Sequence, residues 1–354
     1  MPGDGVSRRR QRQGEFALIE SLRARFASKD AGLIRGIGDD AAIVKTSSRD
    51  RLLLTTDLLA EGIHFDLATT PLEDVGYRSA IANLSDIASM GGRPRYLLVA
   101  IAVPPHITFA AIHRLYRGLM QACRRFNVHV IGGDTSASCR DLFISMTLTG
   151  AVEAGHALQR DGARPGDFLY VTGTVGDSRA GLMLLRDKAS RVKKAKPARS
   201  AGDRFLLRRH HRPSARIDEG RWLATKRLAT AAIDLSDGLA GDLRHLCDES
   251  RVGAEVERAA LPISRPCSKF AHVRGLDPAD LAVAGGEDYE LLFTVSTRNR
   301  LRVEREAARL GYRCTCIGRM KPASFGLRMR TATGSIEPLI SSGYEHFRPM
   351  SSTS

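Results

Sequence analysis

The sequence contains no run of about 18 apolar residues, so no helix in it is expected to span a membrane. Aromatic residues are scarce, 6% of 354 with a single Trp, which leaves few rings for stacking nucleic-acid bases. No G-x-x-x-x-G-K-[ST] occurs, which excludes the lysine-bearing phosphate cradle. The six cysteines, at 123, 139, 247, 267, 314 and 316, form no paired clusters of the kind that hold zinc. Cys314 and Cys316 are a lone alternating pair that suits a strand, and free thiols in a chain of this size fit a reducing cytoplasm. The opening MPGDGVSRRRQRQGEF lacks the apolar core of a secretory signal, so the expected location is cytoplasmic.

Acidic residues are outnumbered, 39 against 54 Lys and Arg, for a net charge of +15. The basic excess concentrates in Arg8, Arg9, Arg10 and Arg12 and in the stretch 186–204. Neither place interleaves aromatics, so both read as solvated tails or insertions, and nucleic acid is not the expected partner.

From residue 51 onward strand-like and helix-like segments alternate. "RLLLTTD" (51–57) reads as a strand closed by a polar triplet, and "VHVIGGD" (128–134) as a strand breaking into a glycine turn. Between them, 70–91 carries a capping box from Thr70 to Glu73 with Pro71 opening a helix, and 108–127 sets Ile112, Leu115, Leu119, Cys123 and Phe126 on one helical face. The second half repeats the mixture, with strands at 167–173, 289–295 and 314–318 and helices at 177–187, 239–250 and 298–310. His210 and His211 read as surface residues, and Trp222 as packed on a core. The expected fold class is α/β (α+β) in two domains, since two is the sensible number for a chain of this length. The expected boundaries are a basic disordered tail at 1–13, a first domain at 14–153, a second at 154–347 and a tail at 348–354.

Aspartates gather at the edges of the apolar segments: GIGDD at 36–40, TTD at 55–57, NLSD at 83–86, GGDT at 132–135, IDLSDG at 233–238 and GGEDYE at 285–290. Each alone reads equally as a turn, because Asp, Ser and Gly favour the step from strand to helix. Taken together they suggest a cation site: closely set carboxylates repel unless a metal lies between them, and hard cations such as Mg²⁺ take oxygen ligands and phosphate oxygens. Glycine pairs let backbone N–H groups approach phosphate. A Mg-nucleotide site built without a P-loop would need both.

The ordered series GEF (14–16), GIGDDAA (36–42), TTD, "GIHF" (62–65), "ANLSDIASMGG" (82–92), IGGDT (131–135), "GARPGD" (162–167), "VTGTVGDS" (171–178), "IDLSDGL" (233–239) and GGEDYEL (285–291) resembles the thiamine-monophosphate kinase family of the aminoimidazole ribonucleotide synthetase-like superfamily, over residues 14–347. The resemblance implies two α/β domains, the first contributing strands to a dimer-forming β-barrel. It implies that Asp40, Thr55, Thr56, Asp57, Asp86, Asp134, Asp234 and Asp237 hold several Mg²⁺ ions. By the same likeness Tyr116, Gly133, Asp134, Arg160 and Ser236 meet ATP, and His64, Glu287 and Tyr344 meet thiamine monophosphate. The implied reaction makes ADP and thiamine diphosphate. Its nucleophile is a phosphate monoester whose second pKa is about 6, so no catalytic base separate from the metal cluster is expected. Two other readings stay open: another ATP-using enzyme of the superfamily, and a basic nucleic-acid-binding protein on this fold.

Overall fold

The computed structural model describes residues 31–35, 39–190 and 200–339, without the side chains of 188–190. The sequence-based expectations for the two tails, for residues 191–199 of the basic stretch and for Tyr344 lie outside these residues.

The first sheet contains β1 (Leu33–Arg35), β2 (Ala42–Lys45), β3 (Asp50–Ala60), β4 (Arg93–Val103), β5 (His129–Ala137) and β6 (Phe143–Glu153), in the order β1-β2-β3-β6-β4-β5. All neighbours are antiparallel except β4 and β5. The sheet is open at both edges, so the described chain does not close a barrel by itself. Two expected strand ends are strand interiors. β3 runs on to Ala60, which puts Thr55, Thr56 and Asp57 in mid-strand opposite Leu148, Thr147 and Met146 of β6. β5 likewise continues through Gly132 and Gly133 instead of turning there. A Cβ built on Gly133 would stand 1.8 Å from the Val99 carbonyl oxygen, so glycine serves close strand approach at this point.

Two helices cover one face of this sheet, α1 (Leu72–Ser89) and α2 (Phe109–Arg125). Thr108 caps α2 by accepting from the Ala111 N–H. The capping box expected at α1 does not form, because the helix begins one residue later and Pro71, which is extended, occupies the cap. The helices cross closely: a Cβ on Gly118 would lie 1.7 Å from the Glu73 carbonyl oxygen. α1 is buried nearly all round, and its buried set includes Arg78, Ser79, Asn83, Ser85 and Ser89. A helix enclosed on every side has no need of an amphipathic stripe, which is why its small and polar residues mask the usual pattern.

The second sheet comprises β7 (Phe168–Thr172), β8 (Ala231–Asp234), β9 (Val252–Glu257), β10 (Leu291–Val295), β11 (Cys314–Pro322), β12 (Leu327–Arg330) and β13 (Ile336–Pro338), in the order β13-β12-β9-β11-β7-β10-β8. Around it lie α3 (Asp177–Ser190), α4 (Ala201–His211), α5 (Ile217–Thr225), α6 (Leu239–Ser250), α7 (Arg265–Val273), α8 (Pro278–Ala284) and α9 (Arg300–Leu310). A single apolar cluster runs through both halves, joining Leu53, Ile81 and Leu97 to Trp222, Leu291 and Phe293. The two α/β domains are therefore packed on each other, with α1 between the first sheet and both α5 and β8.

Candidate active site

The seam between the domains gathers acids that are far apart in sequence. Asp40 comes just before β2, Asp86 from the last turn of α1, and Asp234 from the end of β8. One carboxylate oxygen from each lies within 4.8 Å of the other two. Asp57, in mid-β3, adds its charge to this group. Thr55 donates its hydroxyl to Asp86 Oδ2.

Burial and mutual repulsion make the carboxyls of Asp57, Asp86 and Asp234 hold protons more tightly than in water. Asp57 is pushed up to about 6, first by burial and then by Asp40. Asp234 reaches about 8 for the same two reasons, although the Ser85 hydroxyl and Arg160 pull it back. Asp86 is raised well above its ordinary value by burial and by Asp57, Asp234 and Asp40. Among the described residues, Asp40 Oδ2 and Asp57 Oδ2 are buried without a hydrogen-bond partner, as is Asn83 Oδ1 one helical turn before Asp86. Orphaned buried oxygens are costly, and a nest of them offers only hard donors. This donor set fits Mg²⁺ and is a poor match for soft metals.

Arg160 is the local counter-charge. Its Nε donates to Asp40 Oδ1 at 3.0 Å, and its backbone N–H to Asp39 Oδ2 at 3.4 Å. Asp39 also pairs with Arg35 Nε at 3.2 Å, and burial with Asp40 beside it lifts its carboxyl to about 7.

The IDLSDG turn is held against the GGEDYE turn. Glu287 N–H donates to the Ser236 carbonyl at 2.7 Å, and Tyr289 N–H to the Leu235 carbonyl at 2.9 Å. Asp242, from the first turn of α6, accepts from the N–H groups of Asp237 and Gly238 at 3.2 and 3.0 Å. Glu287 and Tyr289 both have left-handed backbone, with φ of 63° and 51°, which is costly for side chains with a Cβ. Buried neighbours fix that path. Asp288 accepts from the N–H groups of Gly176 and Ser178 at the start of α3, at 2.6 and 3.0 Å. Glu290 binds Arg209 Nη2 at 2.8 Å and also Arg216.

The remaining expected residues fall in two places. His64 and Glu287 come together through Arg78, which donates to the His64 carbonyl and stands 3.2 Å from Glu287 Oε1. The His64 ring accepts from the Ala60 N–H at Nδ1, 3.0 Å away. Tyr116 lines a groove of about 1010 Å³ with Phe109, Ile112, Arg117, Thr135 and Ser136, next to Gly133 and Asp134 in β5. Asp134 stands exposed on that edge strand, three strands from Asp57 across the sheet and outside the group formed by Asp40, Asp86 and Asp234.

His210 is no surface residue: it is 3% exposed, and its Nε2 lies 3.0 Å from Arg78 Nη1. Sequence reasoning also passed over Asp39, Arg78, Asp242, Asp288 and Glu290. Asp39 and Asp288 were in view beside assigned residues, while nothing in the local pattern marks Arg78, whose partners are distant in sequence.

Residues 38–152 match the family model for the N-terminal domain of AIR synthase related proteins, and residues 164–329 that for the C-terminal domain. The thiamine-monophosphate kinase of Escherichia coli (strain K12) is 39% identical over 334 residues, covering 94% of this chain and 98% of the relative. That of Bacillus subtilis (strain 168) is 35% identical over 339 residues, covering 94% and 99%. A solved structure described as AaThiL complexed with AMPPCP and TMP superposes with a TM-score of 0.82 at 35% identity, covering 96% of this chain and 99% of the other. A hydrogenase maturation protein HypE in complex with ATP shares the fold, with a TM-score of 0.65 at 22% identity. On its sequence and its architecture alike, the chain belongs to the thiamine-monophosphate kinase family.

Proposed function

We propose that this chain transfers the γ-phosphoryl group of ATP in line onto the phosphate of thiamine monophosphate, giving ADP and thiamine diphosphate, in the cytoplasm and as a homodimer. The observation that carries the reading is the set of carboxylate oxygens of Asp40, Asp86 and Asp234 within 4.8 Å of one another, with Asp40 Oδ2 unpartnered. Asp40, Asp57, Asp86 and Asp234 would hold Mg²⁺, with Thr55, Thr56, Asp237 and Asp134 completing the set that the family likeness assigns. Bound there, the ions supply the positive charge that lets two phosphate-bearing molecules approach.

The chain's own residues do the rest. The acceptor phosphate is already mostly ionised at neutral pH, since its second pKa is about 6, and needs no base. What it needs is placement. His64 and Glu287, joined through Arg78, are assigned to thiamine monophosphate. The groove beside Tyr116 is assigned to the nucleotide, as are Gly133, Arg160 and Ser236 by the family likeness. The seam between the domains excludes water from the buried acids, which strengthens every charge interaction made there.

The homodimer rests on an uncovered face. Leu58, Tyr96, Leu98 and Phe143 are exposed by 58, 44, 43 and 37% on the side of the first sheet away from α1 and α2. Beside them β5 is an edge strand, with no further strand paired to it among the described residues. A second copy of the same sheet would cover both. Light scattering should give twice the chain mass, and Leu98→Asp should shift it toward the single-chain mass.

The reaction is tested by incubating purified protein with Mg-ATP and thiamine monophosphate. Equal amounts of ADP and thiamine diphosphate are expected. ADP without the diphosphate would move the assignment to another acceptor.

A further inference from the structure

Arg78 is a buried cation on α1 that reaches across the seam, and all of its recorded partners bear on the pocket assigned to the acceptor. It donates to the His64 carbonyl, lies 3.2 Å from Glu287 Oε1, and places Nη1 3.0 Å from His210 Nε2. His210 in turn has Nδ1 3.0 Å from Ser178 Oγ and 3.6 Å from Glu287 Oε2. Its pKa is lowered well below the usual value, first by burial and then by Arg78, so the ring is neutral. Arginine can only donate, so Nε2 is the acceptor and Nδ1 carries the proton, facing Ser178 and Glu287. The two oxygens of Glu287 are thus approached from different sides, one by the guanidinium and one by the imidazole. Glu287 itself sits on a left-handed backbone with φ 63°, a costly conformation for a residue with a Cβ.

We infer that Arg78 and His210 form a positioning pair that locks the Glu287 carboxylate to the His64 loop, and so set affinity for the thiamine-bearing substrate without touching the phosphoryl-transfer centre. The inference rests on the assignment of His64 and Glu287 to that substrate. A planar guanidinium is required, because three partners in different directions need a fork and a lysine ammonium on a flexible stem cannot hold the same aim.

The experiment compares steady-state kinetics and Tm of the full chain with Arg78→Lys, His210→Gln, His210→Phe and Glu287→Gln. Arg78→Lys and His210→Phe should raise KM for thiamine monophosphate roughly 10-fold or more, with KM for ATP unchanged within about twofold. His210→Gln, whose amide oxygen can accept where Nε2 did and whose amide can donate, should restore most of the affinity lost in His210→Phe. Arg78→Lys combined with Glu287→Gln should be no worse than the poorer single variant, because both break one unit. Equal rises in the two KM values, a lowered Tm with both KM values intact, or additive effects of Arg78→Lys and Glu287→Gln would each overturn the inference. If Glu287→Gln alone leaves KM for thiamine monophosphate untouched, the pocket assignment itself fails. If it raises that KM while Arg78→Lys and His210→Phe do not, only the positioning role fails.

Discussion

Asp40 and Arg160 are joined over 120 residues of sequence: Arg160 Nε donates to Asp40 Oδ1 at 3.0 Å, while Asp40 Oδ2 is buried with no hydrogen-bond partner among the described residues. One oxygen of this carboxylate is neutralised by the protein and the other is left over. That division explains how a repelling set of acids survives folding, and where a cation would be welcome. Arg160→Met should destabilise the protein without magnesium by up to about 3–5 kcal/mol, since it strands a buried charge. The Tm gain on adding Mg²⁺ should then exceed that of the unaltered chain. A gain no larger than normal would mean that Asp40 does not meet the ion.

Asp86→Asn separates function from stability. Asp86 is raised by burial and by three neighbouring aspartates, so the amide relieves repulsion. The variant should fold with an unchanged or higher Tm in chelator, yet lose turnover on the order of 10²- to 10³-fold, as when a key charge-stabilising group is removed. Near-full turnover at saturating Mg²⁺ would contradict the role given to this residue.

The same acids set a pH dependence. Asp57 and Asp234 rise from the ordinary 3.8 to about 6 and about 8 in the folded chain. Without metal, the folded state therefore holds more protons than the unfolded state between these limits. Stability from these groups is fully present below pH 3.8 and is lost as pH rises through about 6 to 8. Chelated protein should melt at lower temperature at pH 8.5 than at pH 6, by thermal denaturation at constant ionic strength. Added Mg²⁺ should raise Tm more at pH 8.5. A metal-free Tm that climbs over this range would contradict the protonated cluster.

Gly118→Ala tests the packing that places Asp86. The new methyl would meet the Glu73 carbonyl oxygen, so α1 and α2 must separate. Overpacking of this kind costs about 1–3 kcal/mol, which should appear as a lowered denaturation midpoint. Unchanged stability would show that the crossing is looser than described.

Much of this arrangement was legible in the sequence because the acids lie in short motifs whose residue types suit both turns and hard cations. Asp40, Asp86 and Asp234 were all in view, and the structure brings them together. What the motifs could not carry was depth within an element. TTD and GGD look like strand ends, since polar residues and glycines usually stop strands, yet β3 and β5 run through them because register across the sheet outweighs local propensity. Arg78 and His210 were invisible for another reason. An arginine in a helix and a histidine in "RRHH" both look solvated until folding buries them against each other, and only long-range packing makes that pair.

The most direct test is a crystal grown with a nonhydrolysable ATP analogue and Mn²⁺ in place of Mg²⁺, read by anomalous scattering. Peaks among Asp40, Asp57, Asp86 and Asp234, adjoining the analogue's phosphates, are predicted. Phosphates bound elsewhere, or Mn²⁺ absent from these acids while the analogue is in place, would contradict the account.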